Sequence, residues 1–176
     1  MNRPHDSSHA SFDSDATLSI QRFFAAPPER VWRYLIDPAL RRQWLADGAM
    51  PAHVGDSFEL IWRNDELSTS AAERPSGFEA EQRMASQVLA FDPPHTLAFV
   101  WAGGGQVRFV LEPQPGGVLM TLTHTRIDEE GARVMIGAGW HMHLDILAAH
   151  VQGRKAPSFW TGWLRLRQDY EGRVLA

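Results

Sequence analysis

Between residues 56 and 125 one pattern recurs: short runs in which apolar and polar side chains alternate, separated by turns. A period of two sends successive side chains to opposite faces of a strand, so each run can bury one face only. "DSFELIWR" sets Phe58, Leu60 and Trp62 against Glu59 and Arg63. "FEAEQRMASQVLAF" (78–91) puts Glu79, Glu81 and Arg83 on the wet face and Met84 and Val88 on the dry one. "TLAFVWA", "QVRFVLE" and "VLMTLTHT" repeat the pattern with Leu97, Phe99 and Trp101, with Val107, Phe109 and Leu111, and with Val118, Met120, Leu122 and His124. The connectors "DPPH", "AGGGQ" and "PQPGG" are short turns, so the strands form an antiparallel meander. A sheet with one dry face needs a cover, and the segment from about Glu129 to Val151 is the only helix long enough to supply it.

Upstream, "TLSIQRFF" (17–24) reads as a further strand. "AAPPER" then opens a helix, since proline suits the first helical turn. Val31, Trp32, Leu35 and Ile36 follow at helical spacing until Asp37-Pro38, and "PALRRQWL" begins a second short helix. The order predicts an α+β fold: one strand, two short helices, a run of antiparallel strands, one long helix. The polar residues 1–16 are expected to be a disordered tail, 17–153 the domain, and 154–176 a helical extension.

At 176 residues, with 44% hydrophobic and 22% charged side chains, this is the profile of one globular domain. A net charge of −4 supplies no electrostatic reason to expect nucleic acid. The absence of cysteine excludes disulfides, thiolate metal sites and a cysteine nucleophile. No run approaches the ~20 apolar residues of a membrane span, and the N-terminus lacks a signal-peptide pattern. A soluble cytoplasmic protein without membrane contact is the expectation.

"GWHMHLDILAAH" (139–150) carries three histidines and an aspartate. On a helix, residues two apart point roughly 200° from each other, so His141 and His143 cannot share an ion. His143 and His150 share a face but stand about 10 Å apart along the axis, too far for one zinc. His141 and Asp145 have the spacing of a surface ion pair. No metal site is therefore expected. Ile136, Trp140, Leu144, Leu147 and Val151 instead form one apolar stripe that suits a sheet. Met142, Ile146 and Ala149 make the opposite side apolar too. That side wants a second cover, either "SFWTGWLRLRQDY" (158–170) folding back or a partner subunit in a homodimer.

"APPERVWRYLIDPALRRQW", "VLAFDPPHTLAFVW", "LTHTRI" and "GWHMHLDILAAHVQG" occur in an order that resembles the START-like, or helix-grip, superfamily. The closest resemblance is to bacterial homologues of the heat-shock-protein-90 ATPase activator, and it runs from about Thr17 to Gly153. It implies a curved antiparallel sheet wrapped around a long C-terminal helix, with a cavity between them. It implies functions from binding of apolar ligands to cyclisation chemistry and co-chaperone activity, and it transfers no catalytic residue.

The dry face together with the long helix suggests a site for a small apolar molecule, since such sites are mostly apolar with a few polar groups. Its candidate lining is Trp62, Gln82, Met84, Phe99, Trp101, Phe109, Met120 and His124 from the sheet. The helix adds Trp140, His143, Leu144 and Leu147, and Trp44 is expected at the mouth. Each of these positions could equally be plain core. His124 and His143 are the candidate catalytic groups, because an imidazole near its usual pKa serves as acid or base. No nucleophile elbow, phosphate loop, HExxH or dinucleotide fingerprint occurs, so no cofactor is expected. A chaperone-cofactor-like interaction protein is the third reading. Arg30, Arg33, Arg41 and Arg42 read as a solvated face or a partner patch, and the loop 64–77 as a mobile flap beside the cavity.

Overall fold

A computed structural model describes residues 8–175. Seven antiparallel strands form one sheet: β1 (Ser11–Phe12), β2 (Leu18–Phe24), β3 (Ser57–Trp62), β4 (Gln82–Asp92), β5 (Thr96–Trp101), β6 (Gly105–Gln114) and β7 (Gly117–His124). Their order in the sheet is β1-β2-β7-β6-β5-β4-β3. Strands β3 to β7 pair with their chain neighbours, as the meander predicts, while β2 returns to pair with β7 along its whole length. The described residues also form four α-helices: α1 (Pro28–Ile36), α2 (Pro38–Arg41), α3 (Glu130–Val151) and α4 (Phe159–Val174). The two short helices meet at Asp37, whose side chain accepts from the Ala39 and Leu40 amides and so caps α2.

The sheet bends where one residue is inserted between Val88 and Ala90 in β4. The extra residue, Leu89, is turned outward and partly exposed. Such a bulge increases local twist and helps a sheet wrap around what it covers. The inward faces supply Leu60, Val88, Leu97, Phe99, Val107, Phe109, Leu111, Met120 and Leu122, all buried. Trp140, Leu144, Leu147 and Val151 of α3 join most of them in one apolar core.

The other side of α3 is covered within the same chain by α4. The two helices approach so closely that a Cβ added at Gly162 would lie 2.3 Å from Met142 Sδ, and one added at Gly137 would lie 3.1 Å from Tyr170. α3 is therefore wrapped on two faces, which explains why it is apolar nearly all round.

Three expectations need correction. The polar tail was expected to be disordered through residue 16. Residues 1–7 lie outside the described part, but Ser8–Ala16 is placed: Ser11–Phe12 pairs with β2, and the Ala10 amide donates to the Tyr170 hydroxyl at 2.7 Å. Polarity alone does not measure what backbone pairing and one buried phenol can hold. The four arginines are expected on a solvated face or a partner patch, yet Arg41 is 2% exposed and serves neither. Its guanidinium donates to the carbonyls of Leu35 (3.1 Å), Ile36 (3.4 Å), Ala46 (3.1 Å) and Gly48, tying α1 to the loop after α2. Lastly, the loop 64–77 is docked rather than free: Leu67 and Ser68 accept from the Phe159 and Trp160 amides at the start of α4.

Candidate functional site

The docked loop and α4 close one side of a cleft of about 360 Å³ at the β3–β4 end of the sheet. Its sheet-side wall carries Trp62, Met84 and Trp101, with Trp140 rising from α3. Trp62 and Trp101 pack edge to face with centroids 5.5 Å apart, and Trp101 and Trp140 are tilted at 5.6 Å. The facing wall is built from Phe78 of the docked loop and Phe159, Trp160 and Trp163 of α4. Phe78 sits 5.2 Å from both Trp160 and Trp163, and Phe159 lies 5.1 Å from Trp160. Met135, Ile136 and Gly139 of α3 complete the lining between the walls. Five of the seven tryptophans in the chain thus line one space.

The period of β4 and β5 explains the sheet wall, because Gln82 and Met84, like Trp101, are inward positions of alternating strands. The α4 wall follows from chain geometry: Ser158 starts the helix, and Phe159, Trp160 and Trp163 fall within its first turn and a half. The Trp160 indole is locked by donation to Asp65 Oδ1 at 2.8 Å. Aromatic walls held by such bonds at their edges cannot readily collapse into the space between them.

Polar groups are few. His143 reaches the cleft from α3, its ring tilted against Phe159 at 4.6 Å. Its Nδ1 lies 2.7 Å from the Trp44 carbonyl, which can only accept, so the proton sits on Nδ1 and Nε2 keeps a lone pair. Nε2 has no partner among the described residues. Burial pushes the His143 pKa down to about 4, against a smaller upward pull from the Trp44 carbonyl. Gln82, Glu79 and Arg83 sit at the rim, and Asn64 belongs to the wall below them. Asn64 Oδ1 is the one buried side-chain oxygen or nitrogen among the described residues with no hydrogen-bond partner. Arg83 is engaged by Glu81 at 2.6 Å and Glu59 at 3.0 Å.

Of the positions expected to line a cavity, Trp62, Gln82, Met84, Trp101, Trp140 and His143 do so. Phe99, Phe109, Met120, Leu144 and Leu147 are core beneath it. Trp44 does not stand at the mouth: it is fully buried, with its indole donating to the Tyr34 carbonyl at 2.9 Å, and it serves the cleft only through the carbonyl that holds His143. His124 lies behind the wall, where Nδ1 accepts from the Trp140 indole at 3.0 Å, and burial lowers its pKa to about 4. The two histidines therefore do not converge on one reacting centre.

Sequence reasoning missed Phe78, Met135 and the α4 aromatics as lining. The available signal was the density of aromatic rings in "SFWTGW". His141 was read as a surface partner of Asp145. Its Nε2 is indeed 3.5 Å from Asp145 Oδ2, but the ring is buried under α4, with Nδ1 3.2 Å from the Tyr170 hydroxyl. Burial, with Arg22 and His9 nearby, pushes its pKa down to about 3.

Chemically the cleft can hold an apolar guest and offer it a lone pair. An imidazole with a pKa near 4 is a weak base at neutral pH, so His143 is poorly tuned for proton abstraction. No group of three or more potential metal ligands occurs among the described residues, and none of their helices is long and apolar enough to cross a membrane.

Comparison with known proteins agrees with this architecture. The solution structure of the protein encoded by gene BPP1335 from Bordetella parapertussis is similar at 32% identity, covering 98% of this chain and 95% of that one, with a TM-score of 0.79. EF2215, a conserved protein from Enterococcus faecalis, shares the fold at 17% identity over 94% and 89% of the two chains, with a TM-score of 0.69. CalU16 from Micromonospora echinospora does so at 19% identity over 96% of each chain, with a TM-score of 0.64. No curated protein matches. The family model described as activator of Hsp90 ATPase homolog 1-like protein matches residues 25–152, the span from the turn before α1 to the end of α3, and the chain belongs to that family.

Proposed function

We propose that this protein binds a small, largely apolar molecule in the cleft between the sheet, α3 and α4. The observation that carries this reading is an open space of about 360 Å³ between two aromatic walls, within the size range of small-molecule sites. A fold that needed these rings only as core would have closed the gap, because interiors pack densely and voids cost stability. The unpartnered Asn64 oxygen in the same wall marks the region where the fold leaves a polar group unserved, which is uncommon in a finished interior.

Native mass spectrometry of freshly purified protein, followed by release and identification of bound molecules, tests the reading without a guess at the ligand. A stoichiometric apolar adduct that is lost in Trp160→Ala and kept in Arg108→Ala is the expected result. An adduct equally lost in both folded variants, or a clean mass together with no uptake of added apolar compounds, would sink it.

A further inference from the structure

Resting on that reading of the cleft, the geometry points to a charge preference inside it: the guest is an alkylated ammonium ion carrying an apolar group, seated between the two aromatic walls. The ring faces come first. An aromatic face carries negative electrostatic potential, strongest for indole, and attracts a cation placed against it. Trp62, Trp101 and Trp140 present such rings on one side, with Phe78 and Trp160 on the other. The protein already uses this attraction next door, where the Arg167 guanidinium lies 5.9 Å from the centre of the Trp163 ring.

The polar groups favour the same sign. Arg83 is the only lysine or arginine in the lining, and two carboxylates occupy it. Glu79, exposed at the rim, makes no ion pair or side-chain hydrogen bond among the described residues, so its charge is available to a cation at the mouth. His143 spends its N–H on the Trp44 carbonyl and turns a lone pair, not a donor, to any guest. A carboxylate or phosphate would meet aromatic rings, a lone pair and an unpaired rim acid, with the indole N–H groups of Trp62, Trp101 and Trp163 as neutral donors but no free cation in the lining. The amides of Gln82 and Asn64 serve either sign.

Alkylation matters because a bare ammonium would give up strong hydration that these walls cannot replace. Methyl groups on the nitrogen weaken that hydration and suit apolar walls, while the charge still reaches the rings.

A matched pair of probes separates charge from shape. Benzyltrimethylammonium and neopentylbenzene differ only in having nitrogen or carbon at the quaternary centre. Each is titrated into the ¹⁵N-labelled full chain while the tryptophan indole N–H signals are followed. The expected result is that the cation shifts the Trp101, Trp140 and Trp160 signals and binds about tenfold more tightly than the isostere. Glu79→Gln should narrow that gap several-fold without changing the isostere's affinity. Equal or tighter binding of the isostere would overturn the charge preference while leaving the cleft as an apolar site. If neither probe moved the cleft indoles, the preference and the ligand site would fail together.

Discussion

Arg41 shows how a single side chain can do work that its neighbours in sequence do not suggest. It lies beside Arg42, yet Arg42 stays at the surface with Glu66 and Asp47 while Arg41 is sealed beneath four carbonyls. Desolvation pulls its pKa down to about 10, still far above neutrality, so it remains a cation whose hydrogen bonds to carbonyls replace lost water. Gly48 receives one of those bonds in a conformation with φ +111°, and a Cβ there would come within 2.0 Å of the Glu59 carbonyl oxygen. Arg41→Met and Gly48→Ala should therefore each lose on the order of 2–4 kcal/mol in urea unfolding, one by stranding carbonyls and the other by strain and overlap. A loss below about 0.5 kcal/mol for Arg41→Met would show that the carbonyls find other partners. Arg30→Ala, on the exposed side of α1, should be nearly silent in the same assay.

The loop from Asn64 to Glu79 and the start of α4 behave as one element. A helix start exposes amides that need acceptors, and the loop supplies them through Leu67 and Ser68. Glu73 adds two acceptor contacts, 2.6 Å from Ser158 Oγ and 2.7 Å from Thr161 Oγ1, and places negative charge at the positive end of the helix. These bonds lower the Glu73 pKa. Because Phe78 lies near the end of this loop and Trp160 in the first turn of α4, loosening the junction loosens a wall of the cleft. Glu73→Ala should speed hydrogen exchange at the amides of 159–162 while leaving α3 protected. Unchanged exchange there would show that the junction is held without it. The length and polarity of "NDELSTSAAERPSG" suggest mobility, but its acceptors match a helix that begins some 90 residues later, a match that local patterns do not reveal.

The molecule as a whole should be acid-sensitive through its buried imidazoles. His124, His141 and His143 all have folded pKa values depressed well below 6.5, chiefly by burial. The unfolded chain then binds more protons than the folded one between about pH 6.5 and 4, and stability falls as the pH drops through that window. Each such group removes at most about 1.4 kcal/mol per pH unit. Denaturant titrations should show little change from pH 8 to 7 and a steep loss from 6 to 4.5. His143→Gln and His124→Gln, if folded, should flatten that slope. A slope that appears only below pH 4 would assign acid unfolding to carboxylates instead.

Strand faces, the long helix and their order were legible before any coordinates because burial on one side imposes a period, and a period is a local property of the chain. Leu97, Phe99, Val107, Phe109, Met120 and Leu122 could be placed on the inner face on that basis alone. The same logic made His141 and His143 incompatible with a shared ion, since helix geometry sets their directions. The cleft was legible only in part. Trp62, Met84, Trp101 and Trp140 share a face with core residues, and periodicity does not distinguish a side chain that fills space from one that borders it. That difference depends on where α4 lands and on what docks against it. Phe159 and Trp160 come from a segment far from the sheet wall in sequence, and they meet it because α4 must cover the second apolar face of α3. Burial of His141 beneath Tyr170, and the hold of the same phenol on Ala10, have this origin too: contacts between distant segments, set by packing in three dimensions. Arg41 differs, because the carbonyls that bury it lie only five to seven residues away, yet no periodicity marks them.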